Sequence, residues 1–156
     1  MRASNWARLP ASPFSPEAAL AQDYVARATA GGRALGLGPV EVVEIEARKP
    51  GKAAEGQALI AQLAAGDHLV ACDEHGRART SREFSQWIGV LRDRGVRRLV
   101  FVVGGADGLD AAVLDRAEET LAFGPQTWPH ALVRAMLAEQ IYRGVGILAG
   151  SPYHRD

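Results

Sequence analysis

The chain holds a single cysteine, Cys72, so no disulfide forms within it, and that count fits a reducing compartment. It has no surplus of charge either: 18 Lys and Arg balance 18 Asp and Glu. That excludes a protein gripping nucleic acid through bulk positive charge and leaves room only for a local basic patch. Lysine is scarce, present only as Lys49 and Lys52. No apolar run approaches the roughly 20 residues of a membrane span. The amino terminus lacks a charged start followed by an apolar core, so no signal peptide is expected and the expected location is the cytoplasm. Repeats and low-complexity segments are absent, and no metal site is expected.

What is present belongs to a globular domain, 47% hydrophobic and 23% charged over 156 residues, enough for one real core. Leu99-Val100-Phe101-Val102-Val103 runs without alternation into Gly104-Gly105-Ala106-Asp107-Gly108. Such a run predicts a strand covered on both faces, as in parallel sheets. Ligands of open parallel sheets sit beyond the carboxyl ends of the strands. The turn reads G-G-x-x-G, which is neither the dinucleotide fingerprint nor a phosphate loop with its lysine. A ligand loop and a plain strand-to-helix turn are both open on this stretch alone.

Met1 to Pro13 shows no period and reads as an irregular arm, followed by one domain over 14–156. Ser15-Pro16-Glu17 opens a helix with a capping hydroxyl, a proline at its first position and an acid in its first turn. Val40 to Ala47 reads as a strand near a sheet edge, interrupted by Glu41, Glu44 and Glu46. Ala54 to Ala65 is a helix closed by Gly66. His68 to Cys72 is a short strand ended by the turn Asp73-Glu74-His75-Gly76. Ser81 caps a helix whose Phe84, Trp87, Ile88 and Leu91 share a face. A helix from about Asp110 to Glu119, a brief strand Leu121 to Phe123, a loop at Gly124-Pro125 and a last helix begun by Pro129 complete the domain. Strands alternating with helices predict an α/β fold with a mostly parallel sheet flanked by helices.

The last helix is apolar nearly all round between Ala131 and Tyr142, so its charges need partners or a task. Glu139 and Arg143, four apart, can pair. His130 and Arg134 share a face at its amino end and cannot neutralise one another; they face an anion, or His130 simply donates to a carbonyl. Tyr153-His154-Arg155 offers a ring for stacking and a fork for phosphate, or is a plain polar terminus.

Val103-Gly104-Gly105-x-x-Gly108-Leu109, Pro129-His130-x-x-x-Arg134, Glu139-Gln140-x-Tyr142-Arg143 and Tyr153-His154-Arg155, in this order from about Val40 onward, resemble the RlmH-type family of SPOUT methyltransferases. The resemblance implies a carboxyl-terminal trefoil knot, an exception to the rule against knots. It also implies a homodimer and S-adenosylmethionine (SAM) as methyl donor. The methyl acceptor it implies is N3 of a pseudouridine in 23S rRNA of the assembled ribosome. Carried over by motif, the cofactor contacts fall on Cys72, Gly104, Phe123, Gly124, Pro125, Gln126, Thr127 and Trp128. The catalytic candidates are His130 and Arg134, and the RNA contacts Arg143, Tyr153, His154 and Arg155. Cys72 stands where the family usually has leucine; it is no nucleophile, since Asp73 raises its pKa. Members usually open with an apolar strand, which Met1 to Pro13 does not provide. Two rivals stand beside this reading: a ribosome-binding SPOUT-like module without activity, and a nucleotide-binding Rossmann-like oxidoreductase.

Overall fold

A computed structural model describes residues 1–7, 15–105 and 107–153 of the chain. The strands are β1 (Arg2–Ala7), β2 (Val40–Glu44), β3 (His68–Ala78), β4 (Arg98–Val103) and β5 (Glu119–Ala122). The helices are α1 (Pro16–Gly32), α2 (Lys52–Ile60), α3 (Ser81–Asp93), α4 (Ala111–Arg116) and α5 (His130–Leu148). The strands form one 5-stranded sheet in the order β2-β1-β4-β3-β5, and every pairing is parallel. The expected parallel α/β architecture is the one found.

The unbroken apolar run of β4 has the cause read for it. Leu99, Phe101 and Val103 face a cluster with Ala28 of α1, Phe84 and Ile88 of α3, and Leu137 and Ile141 of α5. Val100 and Val102 face Leu59 of α2 and Val113 of α4 on the other side. Alternate residues thus enter opposite cores, and both need to be apolar.

Local chemistry sets the helix ends. Ser15 accepts the Ala18 amide at 3.1 Å, as its motif predicts. The cap of α3 is Thr80 rather than Ser81: Thr80 and Glu83 form a reciprocal capping box, which leaves Ser81 free to donate to Gln140 at 2.8 Å. α4 stops at Arg116, short of the expected Glu119, because residue 118 is drawn to β3. There the Leu69 amide donates to the Glu118 carboxylate at 2.6 Å, and the Glu118 amide donates to the Leu69 carbonyl at 2.9 Å.

The structure corrects two expectations. Arg2–Ala7, read as part of an irregular arm, is a strand inside the sheet, with Ala3 opposite Val40 on one side and Leu99 on the other. Its register is carried by main-chain groups, which any residue but proline supplies in full, so apolar patterning did not reveal it. Asp73-Glu74-His75-Gly76 is no chain reversal. β3 continues through it to Ala78 as an irregularity in which Cys72 and Arg77 both oppose Leu121.

At the amino-terminal end of β3, buried Asp67 binds Arg98 of β4, whose Nε donates to Oδ1 at 2.8 Å; the Ala64 amide donates to Oδ2 at 2.7 Å. Burial pushes the Asp67 carboxyl up, but Arg98 and the Ala64 amide outweigh it and hold the group below its ordinary value. Arg98→Ala is expected to cost about 3 kcal/mol of unfolding free energy near neutral pH, because it strands a buried carboxylate. A carboxyl whose folded pKa is depressed contributes stability above its unfolded pKa and loses it as pH falls through the folded one. Urea titrations should therefore show the gap from wild type closing as pH falls below 3.8, the group's ordinary value.

Candidate active site

β3, β4 and β5 lie side by side, and beyond their carboxyl ends opens a cleft of about 590 Å³. The end of the β4 run supplies Val103, Gly104, Gly105 and Gly108; β3 supplies Cys72, Asp73 and Glu74; the segment after β5 supplies Phe123, Gly124, Gln126, Thr127 and Trp128. His130 and Val133, at the start of α5, close it. This is the position at which parallel sheets bind ligands.

The turn at its floor cannot carry a side chain. A methyl group on Gly104 would lie 2.7 Å from the Gly108 carbonyl carbon and 3.0 Å from both the Gly108 oxygen and the Leu109 nitrogen. A backbone folded this tightly presents main-chain groups, not side chains, to whatever occupies the cleft. The bulge in β3 has a similar origin: a methyl on Gly76 would meet Leu121 backbone atoms at 2.7 Å. With Gly76 pressed against β5, Asp73 and Glu74 are pushed into the cleft wall. The Thr127 hydroxyl donates to the Glu74 carboxylate at 2.7 Å, and the Trp128 indole N–H donates to the Phe123 carbonyl at 3.1 Å. These bonds fix the segment after β5 from both ends. Asp73, Glu74 and Asp107 were not singled out from the sequence; charged residues and a glycine directly after an apolar strand were the available signal.

Electrostatics separate the polar groups. Burial pushes the Cys72 thiol up to about 12, with Asp73 adding to it, so the group is a neutral wall, as its sequence context predicts. Burial, and then the neighbouring Arg134 cation, lower the His130 pKa from 6.5, leaving an imidazole that is neutral at physiological pH and able to accept a proton.

The SPOUT methyltransferase family model matches residues 14–154. Proteins named Ribosomal RNA large subunit methyltransferase H are 70% identical in Phenylobacterium zucineum (142 residues; 91% of this chain, 92% of the relative). Those of Caulobacter sp. strain K31 are 69% identical over 140 residues, 90% of each chain. The Caulobacter vibrioides protein of the same name is 65% identical over 140 residues.

The chain belongs to the SPOUT methyltransferase family. That membership replaces the oxidoreductase alternative. Of the cofactor contacts that the family resemblance implied, Cys72, Gly104, Phe123, Gly124, Gln126, Thr127 and Trp128 all line the one cleft, and Pro125 is the exception.

His130, a catalytic candidate, lines the same cleft, whereas Arg134, Arg143 and Tyr153 lie elsewhere. Arg134 is buried in α5 rather than in the cleft lining, and its Nη1 donates to the Glu44 carboxylate of β2 at 3.2 Å. Arg143 binds Glu139 through Nε at 2.8 Å, the pair expected from their spacing. Tyr153 folds back onto this pair: its hydroxyl donates to Glu139 at 3.2 Å. Its ring centroid is 4.5 Å from that of Tyr142, and the Arg143 guanidinium lies 5.0 Å from the ring. Arg143 and Tyr153 are therefore joined to one another and stand outside the cleft of their own chain. His154 and Arg155 lie outside the described residues.

No group of His, Cys, Asp and Glu side chains suited to a metal ion occurs among the described residues, and no helix among them is long and apolar enough to cross a membrane.

Proposed function

We propose that the protein is a SAM-dependent methyltransferase acting on N3 of a pseudouridine in 23S rRNA, within assembled ribosomes in the cytoplasm. The observation that carries this reading is the convergence of Cys72, Gly104 and the Phe123–Trp128 segment on one cleft with His130 at its edge. The residues fit the donor. Val103, Leu121, Phe123 and the neutral Cys72 would give apolar wall for its adenine ring and methylene groups; Asp73, Glu74 and Asp107 would give negative charge for its ammonium and sulfonium. The relatives' name supplies the acceptor class, large-subunit ribosomal RNA.

SAM, when bound, supplies a methyl group already activated by a sulfonium leaving group, so alignment and water exclusion are what the protein adds. The Gly104 turn offers main-chain groups at close range, and main-chain groups of the Phe123–Trp128 segment read the adenine. His130 takes the proton that leaves the acceptor nitrogen. Arg134, held by Glu44, acts on the reaction through His130, whose pKa its charge lowers.

The family's trefoil knot and homodimer belong to the same proposal. α1 and α5 expose Leu20 and Leu132 along a groove of about 600 Å³ edged by Tyr24 and Met136, an apolar face suited to a second copy. The tail residues Tyr153, His154 and Arg155, with Arg143, then serve RNA at the partner's cleft. The test is calorimetry with SAM, then incorporation of labelled methyl into ribosomes lacking the mark, with the product nucleoside identified by mass spectrometry. Methyl on another nucleoside, or no donor binding, would overturn the reading; donor binding without transfer would leave the inactive ribosome-binding module.

Two further outcomes are expected. Thr127→Val should weaken SAM binding about 5-fold, since one hydrogen bond contributes about 1 kcal/mol, while Thr127→Ser, which keeps the hydroxyl for Glu74, should bind like wild type. In pH–rate profiles the wild-type acid limb should fall below pH 6.5, because His130 is depressed from that value. Arg134→Met removes a repelling cation, so it should move that limb to higher pH.

A further inference from the structure

Arg48 and Lys49, in the loop after β2, and Lys52, the first residue of α2, lie within five positions of one another, all exposed, and none of them makes an ion pair among the described residues. Arg79, Arg98, Arg134 and Arg143, by contrast, are each held by a carboxylate. Both lysines of the chain are here. This loop leaves the sheet at the end where the cleft lies: Ala7 of β1 has Glu44 on one side and Val103 on the other. A methyl group on Gly108, in the cleft lining, would stand 4.0 Å from the Lys52 ammonium, so this cation is at the rim.

The base under the loop is firm. α2 is pressed against α4 so closely that a methyl on Gly56 would lie 2.7 Å from the Asp110 Cβ. Pro50 and Gly51, the latter at φ 115°, set the turn just before Lys52.

The cleft wall carries Asp73, Glu74 and Asp107, which repel a polyanion, and the molecule as a whole has no net charge to draw one in. An RNA segment entering such a site needs cations beside it, outside the donor's own contacts. The geometry points to Arg48, Lys49 and Lys52 as a backbone-binding element that holds the phosphates flanking the nucleoside to be methylated. This rests on the RNA methyltransferase reading and adds the surface by which the substrate is held.

The experiment compares wild type with the exposed-loop variant R48S/K49S/K52S and the charge-preserving R48K/K49R/K52R. Binding to ribosomes lacking the mark is measured between 50 and 200 mM salt, alongside SAM calorimetry and methyl transfer. Each phosphate contact contributes about 0.7 to 0.9 to the slope of log K against log salt. The serine variant should therefore lose about 2.1 to 2.7 of slope, so that its affinity falls about 20- to 40-fold less than wild type's across that range. It should bind SAM like wild type and reach the wild-type rate at saturating ribosomes, and the charge-preserving variant should keep the slope. An unchanged slope in the serine variant, while wild type methylates, would overturn the loop's role alone, as would a loss of SAM affinity with the slope intact. A wild-type protein that methylates nothing would overturn the parent reading and this one with it.

Discussion

Gly104→Ala is expected to lower methyl transfer at least about 100-fold and to weaken SAM binding by a similar factor, roughly 2.7 kcal/mol. The added methyl meets backbone, at 2.7 Å from the Gly108 carbonyl carbon, and backbone cannot rotate aside. Relief requires opening the turn that the Gly108 amide closes on the Gly105 carbonyl at 3.0 Å. Opening it shifts the main-chain groups that face the cleft, and a displacement on the order of 1 Å is enough for a 100-fold loss. The fold should survive, because β4 is fixed upstream by Leu99 to Val103, all buried. Gly146→Ala is the matched control. It lies inside α5, where a methyl would find its nearest atoms at 3.8 and 4.0 Å. It should leave activity unchanged and raise stability by about 0.5 kcal/mol. Circular dichroism and thermal unfolding establish that both variants are folded; calorimetry and transfer rates separate them. Wild-type donor affinity in Gly104→Ala would remove that turn from the cofactor site.

What could be read without a structure divides along physical lines. Apolar periodicity reports side-chain burial, so β4, α3 and the order of strands and helices followed from it. The edge position of β2 followed from its glutamates, and the Glu139–Arg143 pair from its spacing. β1 was hidden for the opposite reason: its place in the sheet comes from main-chain pairing with β2 and β4, and Arg2–Ala7 has no apolar run to announce it. The β3 bulge was hidden because residues 73–76 have turn composition. Only the approach of Gly76 to the Leu121 backbone distinguishes a bulge pressed against a neighbour from a reversal into solvent. Arg134 illustrates a third limit. Its spacing from His130 is visible in the chain, but its partner Glu44 is 90 residues away, and no local pattern encodes that contact.

The tail gives the second large effect. Arg143 and Tyr153 are tied to Glu139 outside their own cleft, an arrangement that suits a tail serving a neighbouring copy. Arg155→Ala is expected to lower transfer about 30- to 100-fold, the loss of one charge-assisted phosphate contact, with SAM affinity unchanged. Gly104→Ala, by contrast, damages the donor site. In a two-fold dimer whose tails cross, a hybrid of these two variants has one site carrying both defects and one carrying neither. Random mixing makes half of the dimers hybrids, each with one intact site of two, so the mixture should recover about a quarter of wild-type activity. If each tail served its own cleft, every site in the mixture would carry one defect and mixing would recover nothing. The measurement is therefore transfer by the two variants unfolded and refolded together, against the same variants refolded apart and then combined. Recovery confined to the co-refolded sample assigns the tail to the partner's cleft; equal, low activity in both samples refutes that assignment.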